Sequence, residues 1–289
     1  MKIDLHMHSR DSDGELSAEE LVDLAVEKKL KVIAITDHEV GGGSLRVKKY
    51  AKNKGIEVVP GIEIGADDEE LGLFDVHVVG LFLDLENKDL LRLSSDMMKS
   101  GEVQKKKMVD KLRKMGYDID FEEVKKEADN INYKRPHIAS VLLRKYSEFG
   151  NMEDVFDRLL GYGKPADVRQ EKYNLKRVID IIHGAGGVAI LAHPMLYDDF
   201  EKIIDRFVEF GGDGIEVDYF YENRKGISKN ESLRMVERVR EVAREKGLIV
   251  SGGGDFHHNS DPHEIGDFGV SDSEFLDLRD FWRGKWKKG

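Results

Sequence analysis

Short apolar runs alternate with amphipathic helical segments along most of this 289-residue chain, and that rhythm restricts its fold more than any other feature. "KVIAIT" at 31–36, "IEVVPGIEI", "DVHVVGLFLD" at 75–84, "GGVAILAHP", "GGDGIEVDY" and "GLIVSGGGDFHH" read as strands, as does the opening "KIDL". Ser17 followed by Glu20 forms a capping box ahead of Leu21, Leu24 and Ala25. A second helix covers Leu45 to Lys54 and stops at Gly55, and another starts at Asn174. Strands alternating with helices indicate a parallel sheet, open or closed into a barrel.

Between about 96 and 170 the rhythm lapses and only helical segments remain. In "KSGEVQKKKMVDKLRKMG" the apolar residues Met108, Val109 and Leu112 share one face, so the lysines read as a solvated surface. This stretch reads as an α-helical insertion, residues 96–170, in a domain made of residues 1–95 and 171–289. The tail "RDFWRGKWKKG" is basic and aromatic, and its sequence does not decide its role.

Histidines and carboxylates recur where the strands run out. His6 and His8 follow the first strand with i, i+2 spacing, which sets both imidazoles on one side. His38 ends "IAITDH", Glu63 lies in "VVPGIE", His77 in "DVHVV" and His193 in "AILAHP", while Asp255 and His257 close "IVSGGGDFH". Asp13 lies in the first loop. In parallel α/β folds ligands bind at the carboxyl ends of strands, so residues far apart in sequence can converge there. Nine such donors exceed what one ion can use and point to two or three. Imidazole and carboxylate without thiolate suit Mn, Fe or Zn, with Mn the first choice.

Composition narrows the function classes. Acidic residues outnumber basic ones 57 to 46, a net charge of −11, which disfavours long duplex DNA as a partner. A metal centre would reverse that sign locally and admit a small anion. The absence of cysteine excludes a disulfide scaffold and a thiolate zinc site. No apolar run approaches the roughly 20 residues of a membrane helix, and no apolar signal region precedes the first strand, so a cytoplasmic protein without a membrane partner is expected.

The ordered set "DLHMHSRDSDG", "IAITDHE", "GIEIG", "VHVVGL", "LAHP" and "GGDFHH" resembles the successive motifs of the PHP (polymerase and histidinol phosphatase) superfamily. That resemblance implies an α/β fold, a distorted seven-stranded β/α (TIM-like) barrel, with a trinuclear metal site. Within it, His6, His8, Glu63 and Asp255 would hold one ion. Glu63 would bridge to a second, held also by His77 and His193, and Asp13, His38 and His257 would hold the third. "RPHIASVLL" and "LLGYGKPADV" resemble the branch containing nucleoside 3′,5′-bisphosphate phosphatases and 5′→3′ exoribonucleases of short RNA. The sequence departs from the pattern at Gly65 and Ala66, where relatives often carry hydroxyl residues, at Asp167, where an aromatic is common, and in the triple glycine 252–254.

The remaining polar residues fall into two groups. Arg135 and His137 flank Pro136 at a helix start, where a phosphate meets free backbone N–H groups, and Lys164 lies in a Gly-rich turn. All three are candidate substrate contacts. Asp4 and Asp37 adjoin ligand histidines and either orient them or are ordinary strand-end carboxylates. His183 reads as structural, and His258 and His263 as non-ligands.

The expected chemistry is hydrolysis of a phosphate ester by metal-activated hydroxide, on a small phosphorylated nucleotide or short 5′-phosphorylated RNA. The insertion is expected to lie over the barrel mouth. A histidinol phosphate phosphatase would use the same metal core, and a noncatalytic metal-stabilised subunit is the alternative from another class.

Overall fold

A computed structural model describes residues 2–128, 133–222 and 226–286. The chain divides into two compact units, Met1–Arg92 with Tyr173–Gly289, and Leu93–Lys172.

The first unit begins β1 (Lys2–Met7), α1 (Ala18–Glu27), β2 (Leu30–Ile35), α2 (Gly42–Asn53), β3 (Glu57–Val58), β4 (Gly61–Asp68) and β5 (Leu73–Leu81). α3 (Lys88–Lys114) runs on into the second unit. There α4 (Phe121–Glu127), α5 (Arg135–Lys145) and α6 (Met152–Val155) follow, the last continuing as a wider π-turn over Phe156–Leu160. The first unit resumes with β6 (Tyr173–Asn174), α7 (Leu175–Gly184), β7 (Val188–Leu191), α8 (Phe200–Glu209), β8 (Gly214–Asp218), α9 (Lys229–Lys246), β9 (Ile249–Gly252) and α10 (Asp272–Trp286). The capping box at α1 forms as its sequence predicts, Ser17 Oγ accepting from the Glu20 amide and Glu20 Oε2 from the Ser17 amide. Among the described residues no helix is long and apolar enough to cross a membrane.

The strands form a parallel sheet in the order β1-β2-β3 and a mixed sheet in the order β6-β4-β5-β7-β8-β9. Two single bridges tie them at one end, Met7 with Phe256 and His38 with Glu63. The expected parallel sheet is interrupted at β5, which is antiparallel to both β4 and β7. A four-residue connection, 69–72, joins β4 to β5, which is enough for a hairpin and too short for a parallel crossover. "IEVVPGIEI" is likewise two strands in different sheets, because Pro60 has no N–H to give to a ladder.

Alternating residues sort the first unit into two apolar layers. Ile3, Leu5, Val32, Ala34, Val79, Leu81, Val188 and Ile190 share an inner cluster, while Ile33 and Ile35 pack outward with Leu21, Val22 and Val47 of α1 and α2. Trp282 and Trp286 of α10 donate to the carbonyls of Gly186 and Gly187 at 2.8 and 3.1 Å, and Trp282 stacks on Phe82. The aromatic tail is therefore a docking helix, with residues 287–289 outside the described set. His183 of α7 shares Asp213 with Lys285 of α10, which fits a structural role. The second unit has its own core around Met108, Leu112, Ile138, Leu142 and Leu160.

Candidate metal centre

Strand periodicity aims several of the donors inward. His77 shares its face of β5 with Val79 and Leu81 of the inner cluster. β1 needs a correction to its register. Leu5 packs in the inner layer and Met7 in the outer one, although an unbroken strand would keep them on one face. The pairing with β2 shifts between Asp4 and Met7, and such an irregularity re-aims side chains, here turning His6 to the inner side directly after Leu5. His193 and Asp255 adopt positive φ, +31° and +55°, a conformation that L residues rarely take outside special sites.

All nine sequence-predicted donors come together. Glu63 is buried at the centre, with Oε1 3.0 Å from His77 Nδ1, 3.2 Å from His193 Nε2 and 3.4 Å from His6 Nε2. Its Oε2 lies 3.0 Å from His38 Nδ1 and 3.2 Å from His8 Nε2. Asp255 Oδ1 lies 3.1 Å from His8 Nε2 and 3.5 Å from His6 Nε2. Asp13 is the outlying carboxylate, 3.6 Å from His257, 3.8 Å from His38 and 3.9 Å from His8.

The electrostatics follow from packing five imidazoles round one carboxylate. Burial alone would raise the Glu63 pKa, but charge on His77, His6 and His38 holds it well below the carboxylate range. Asp255 is held down in the same way, against its burial, by His257, His6 and His8. Burial opposes charging of His8 and His77, yet Asp255 and Glu63 raise His8 to about 10, and Glu63 and Asp75 raise His77 to about 10. His257 goes the other way, to about 4, through burial and the neighbouring charge of His8. The buried carboxylates thus stabilise positive charge on the imidazoles packed around them.

The residues present fit a metal cluster. Among the described residues His8 Nδ1 and His193 Nδ1 are buried without a hydrogen-bond partner. His6 Nε2 and His8 Nε2 face each other at 3.2 Å. Three donor groups have ligand atoms within 4.8 Å of one another: His6, His8, Glu63 and Asp255; His8, Asp13, His38 and His257; and His38, Glu63 and His77. The first is the set the resemblance implies, and the second is its Asp13, His38, His257 set with His8 added. The third has His38 where the resemblance implies His193, whose Nε2 lies 3.2 Å from Glu63 Oε1.

Sequence reasoning missed the supports. Glu216 of β8, buried among apolar neighbours, accepts from His6 Nδ1 at 3.0 Å and from the His193 amide at 2.8 Å. Tyr219 donates to Asp255 Oδ2 at 2.9 Å, and Tyr197 Oη receives the His77 amide at 2.7 Å. Inside "GIEVDY" Glu216 reads as the polar member of an alternating strand, so the sequence offered no signal for it. Asp4 and Asp37 take their hydrogen bonds from amides and hydroxyls. Asp4 accepts from the amides of His6, Gly254 and Gly266, and Asp37 takes the Ser9 amide and the hydroxyls of Ser9 and Ser12. The triple glycine also has a steric reason: a Cβ at Gly253 would stand 2.4 Å from the His6 nitrogen.

The proposed substrate contacts belong to the second unit. Arg135 donates to Asp167 Oδ1 and the Leu160 carbonyl, both at 3.0 Å, and lies 4.5 Å over Tyr162. Asp167, the departure noted above, is thus an arginine partner. His137 Nδ1 accepts from the Lys134 amide, and Lys164 is exposed in the turn 161–167. His258 and His263 stand outside the three donor groups.

The PHP domain family model matches residues 4–220. A 5′-3′ exoribonuclease of Haemophilus influenzae is 34% identical, covering 99% of this chain and 98% of that protein. A 3′,5′-nucleoside bisphosphate phosphatase of Chromobacterium violaceum is 32% identical over 88% of this chain and 87% of its own. Among solved structures, one described as an amidohydrolase of Chromobacterium violaceum, with bound sulfate and no metal, superposes with a TM-score of 0.83 at 29% identity, covering 97% of this chain and 96% of the other.

Proposed function

The chain belongs to the PHP domain family and is a hydrolase of phosphate esters; from that premise we propose that its substrates are nucleoside 3′,5′-bisphosphates or short 5′-phosphorylated RNA. The observation that carries the reading is Glu63, one buried carboxylate within 3.4 Å of five imidazoles. The nine donors His6, His8, Asp13, His38, Glu63, His77, His193, Asp255 and His257 would hold two to three divalent ions, Mn in first place and Fe or Zn as the alternatives. When bound, such ions supply an activated water near neutral pH and neutralise the phosphate oxygens.

The protein's own part is orientation. Glu216 fixes His6 with Nε2 toward the centre, Tyr219 holds Asp255, and the Asp255 carbonyl holds His257 Nδ1 at 2.8 Å. Arg135, His137 and Lys164 are the proposed contacts to a second phosphate. The seven strands β1, β2, β4, β5, β7, β8 and β9 are proposed to close into a distorted barrel, a reading supported by the Met7–Phe256 and His38–Glu63 bridges. A cytoplasmic location suits these substrates.

A phosphate-release screen with Mn²⁺ over nucleoside 3′,5′-bisphosphates, 5′-phosphorylated oligonucleotides and histidinol phosphate tests the proposal. Turnover of the first two classes is expected. Preference for histidinol phosphate would overturn it, and turnover of none would move the substrate to another class of phosphate ester.

A further inference from the structure

At the amino ends of β2 and β3, the opposite end of β2 from His38, a cavity of about 550 Å³ opens between those strands, α2 and α10. Its floor is apolar, formed by the buried side chains of Val32, Ile56, Val58 and Phe275, with Leu276 51% exposed at the rim. Four cations surround it, Lys31, Lys48, Lys52 and Arg279, against one carboxylate, Glu57. Both Glu57 oxygens lie 2.7 Å from Arg279 Nη2, and the guanidinium sits 4.4 Å over Phe275, so Arg279 is fixed and Glu57 is committed to it. Among the described residues the side chains of Lys31, Lys48 and Lys52 have no ion pair or hydrogen bond. Some lysines of the same unit are matched, Lys28 with Glu264 and Lys176 with Asp180, while others on the surface, Lys49 among them, are not. Around this cavity cations outnumber carboxylates four to one, the reverse of the balance in a unit that carries 29 basic against 42 acidic residues.

We propose that this cavity is a second ligand site, apart from the metal centre, for a small organic phosphate with a planar apolar body, of the nucleoside monophosphate class. Its volume lies in the range of small-molecule pockets, roughly 300–1,000 Å³. The apolar floor accepts a base, and lysine ammonium groups are adaptable point donors to a phosphate. The choice of a nucleotide rests on the proposed function, whose reaction would release one; the anion site itself rests on the cavity.

The test uses the full-length protein stripped of metal with a chelator, titrated with N-methylanthraniloyl-AMP by fluorescence anisotropy. Saturable binding is expected, displaced by unlabelled AMP and weakened at least tenfold in the Lys48→Glu/Lys52→Glu variant. Both substitutions are at exposed helix positions, and Mn²⁺-supported hydrolysis of p-nitrophenyl phosphate should match the wild type, showing that the fold is intact. Binding by the variant within twofold of wild type would overturn the site. Displacement by inorganic phosphate, or by dodecanoate, as effective as by AMP would overturn the nucleotide assignment. If AMP binds here while no bisphosphate is hydrolysed in the separate screen, the functional reading fails and this site stands.

Discussion

Glu216 and His6, 210 residues apart in the chain, meet at 3.0 Å between Oε1 and Nδ1. The same carboxylate takes the His193 amide through Oε2, so one side chain sets the orientation of two donors brought in by different strands. Glu216→Gln keeps one acceptor oxygen but turns an NH₂ toward either a ring nitrogen or an amide N–H. Partners of this kind are worth about 10–100-fold in metal affinity or activity. Equilibrium dialysis of the variant against Mn²⁺ should show that loss; affinity within twofold of wild type would reduce Glu216 to packing.

Glu63→Ala should bring phosphate-ester hydrolysis to background, because the shared carboxylate of two donor groups disappears. The far-UV circular dichroism should be retained, since the strands are held by apolar layers on both faces. Activity near wild type in excess Mn²⁺ would rule out a bridging role.

Metal removal should lower thermal stability, since ions bind the assembled cluster and not the unfolded chain. At a free ion concentration about 100 times the dissociation constant, linkage gives about 2.7 kcal/mol. Scanning calorimetry of chelator-treated protein, before and after Mn²⁺ is restored, should register a rise of several degrees. An unchanged melting temperature would mean that the nine donors do not hold metal.

Asp213 anchors α10 by accepting from His183 at 2.8 Å, from the Ala189 amide at 2.9 Å and from Lys285. Burial opposes its ionisation, but the bonds from His183 and Lys285 outweigh burial and depress its pKa below the ordinary 3.8. Its stabilisation is therefore complete above that value and lost as pH falls through the lower, folded-state pKa. Asp213→Asn should destabilise the protein at pH 7 by about 1–3 kcal/mol, and the difference from wild type should shrink below pH ~4. Urea melts across pH measure both, and a pH-independent difference would contradict the linkage.

Arg135→Ala should lower kcat/KM for a bisphosphate about 10- to 150-fold, the 1.5–3 kcal/mol of a charge-assisted bond, and spare p-nitrophenyl phosphate. Arg135→Lys should recover part of it. Its bonds to Asp167 and Leu160 supply the competing account, in which the arginine only braces the turn 160–167. Equal damage to both substrates, with a lowered melting temperature, would favour bracing.

The sequence carried the donor set because imidazoles and carboxylates at the ends of apolar strands contrast with their surroundings. Glu216 lacked that contrast: inside "GIEVDY" it matches the alternation of a half-exposed strand, and only the approach of β1 shows it buried. The irregular register of β1 was invisible for another reason. A strand pattern gives parity, and the shift between Asp4 and Met7 changes parity without a glycine or proline to mark it. The reversal of β5 was present as a short acidic connection, but loop length speaks to direction only once the neighbouring strand is known. The tail's basic and aromatic composition left its role open, and the Gly186 and Gly187 carbonyls supply the anchor for its tryptophans.

The two bridges that tie the sheets run through donor residues or their neighbours, and so do the flanking amide bonds. The Glu63 amide donates to Thr36, the His8 amide to Phe256, the Asp255 amide to His6 and the Glu39 amide to Glu63. These four backbone protons form a built-in gauge. Their exchange with deuterium follows local opening of the very segments that carry the donors, so ion occupancy can be read peptide by peptide in a mass spectrometer, without turnover and without knowledge of the substrate.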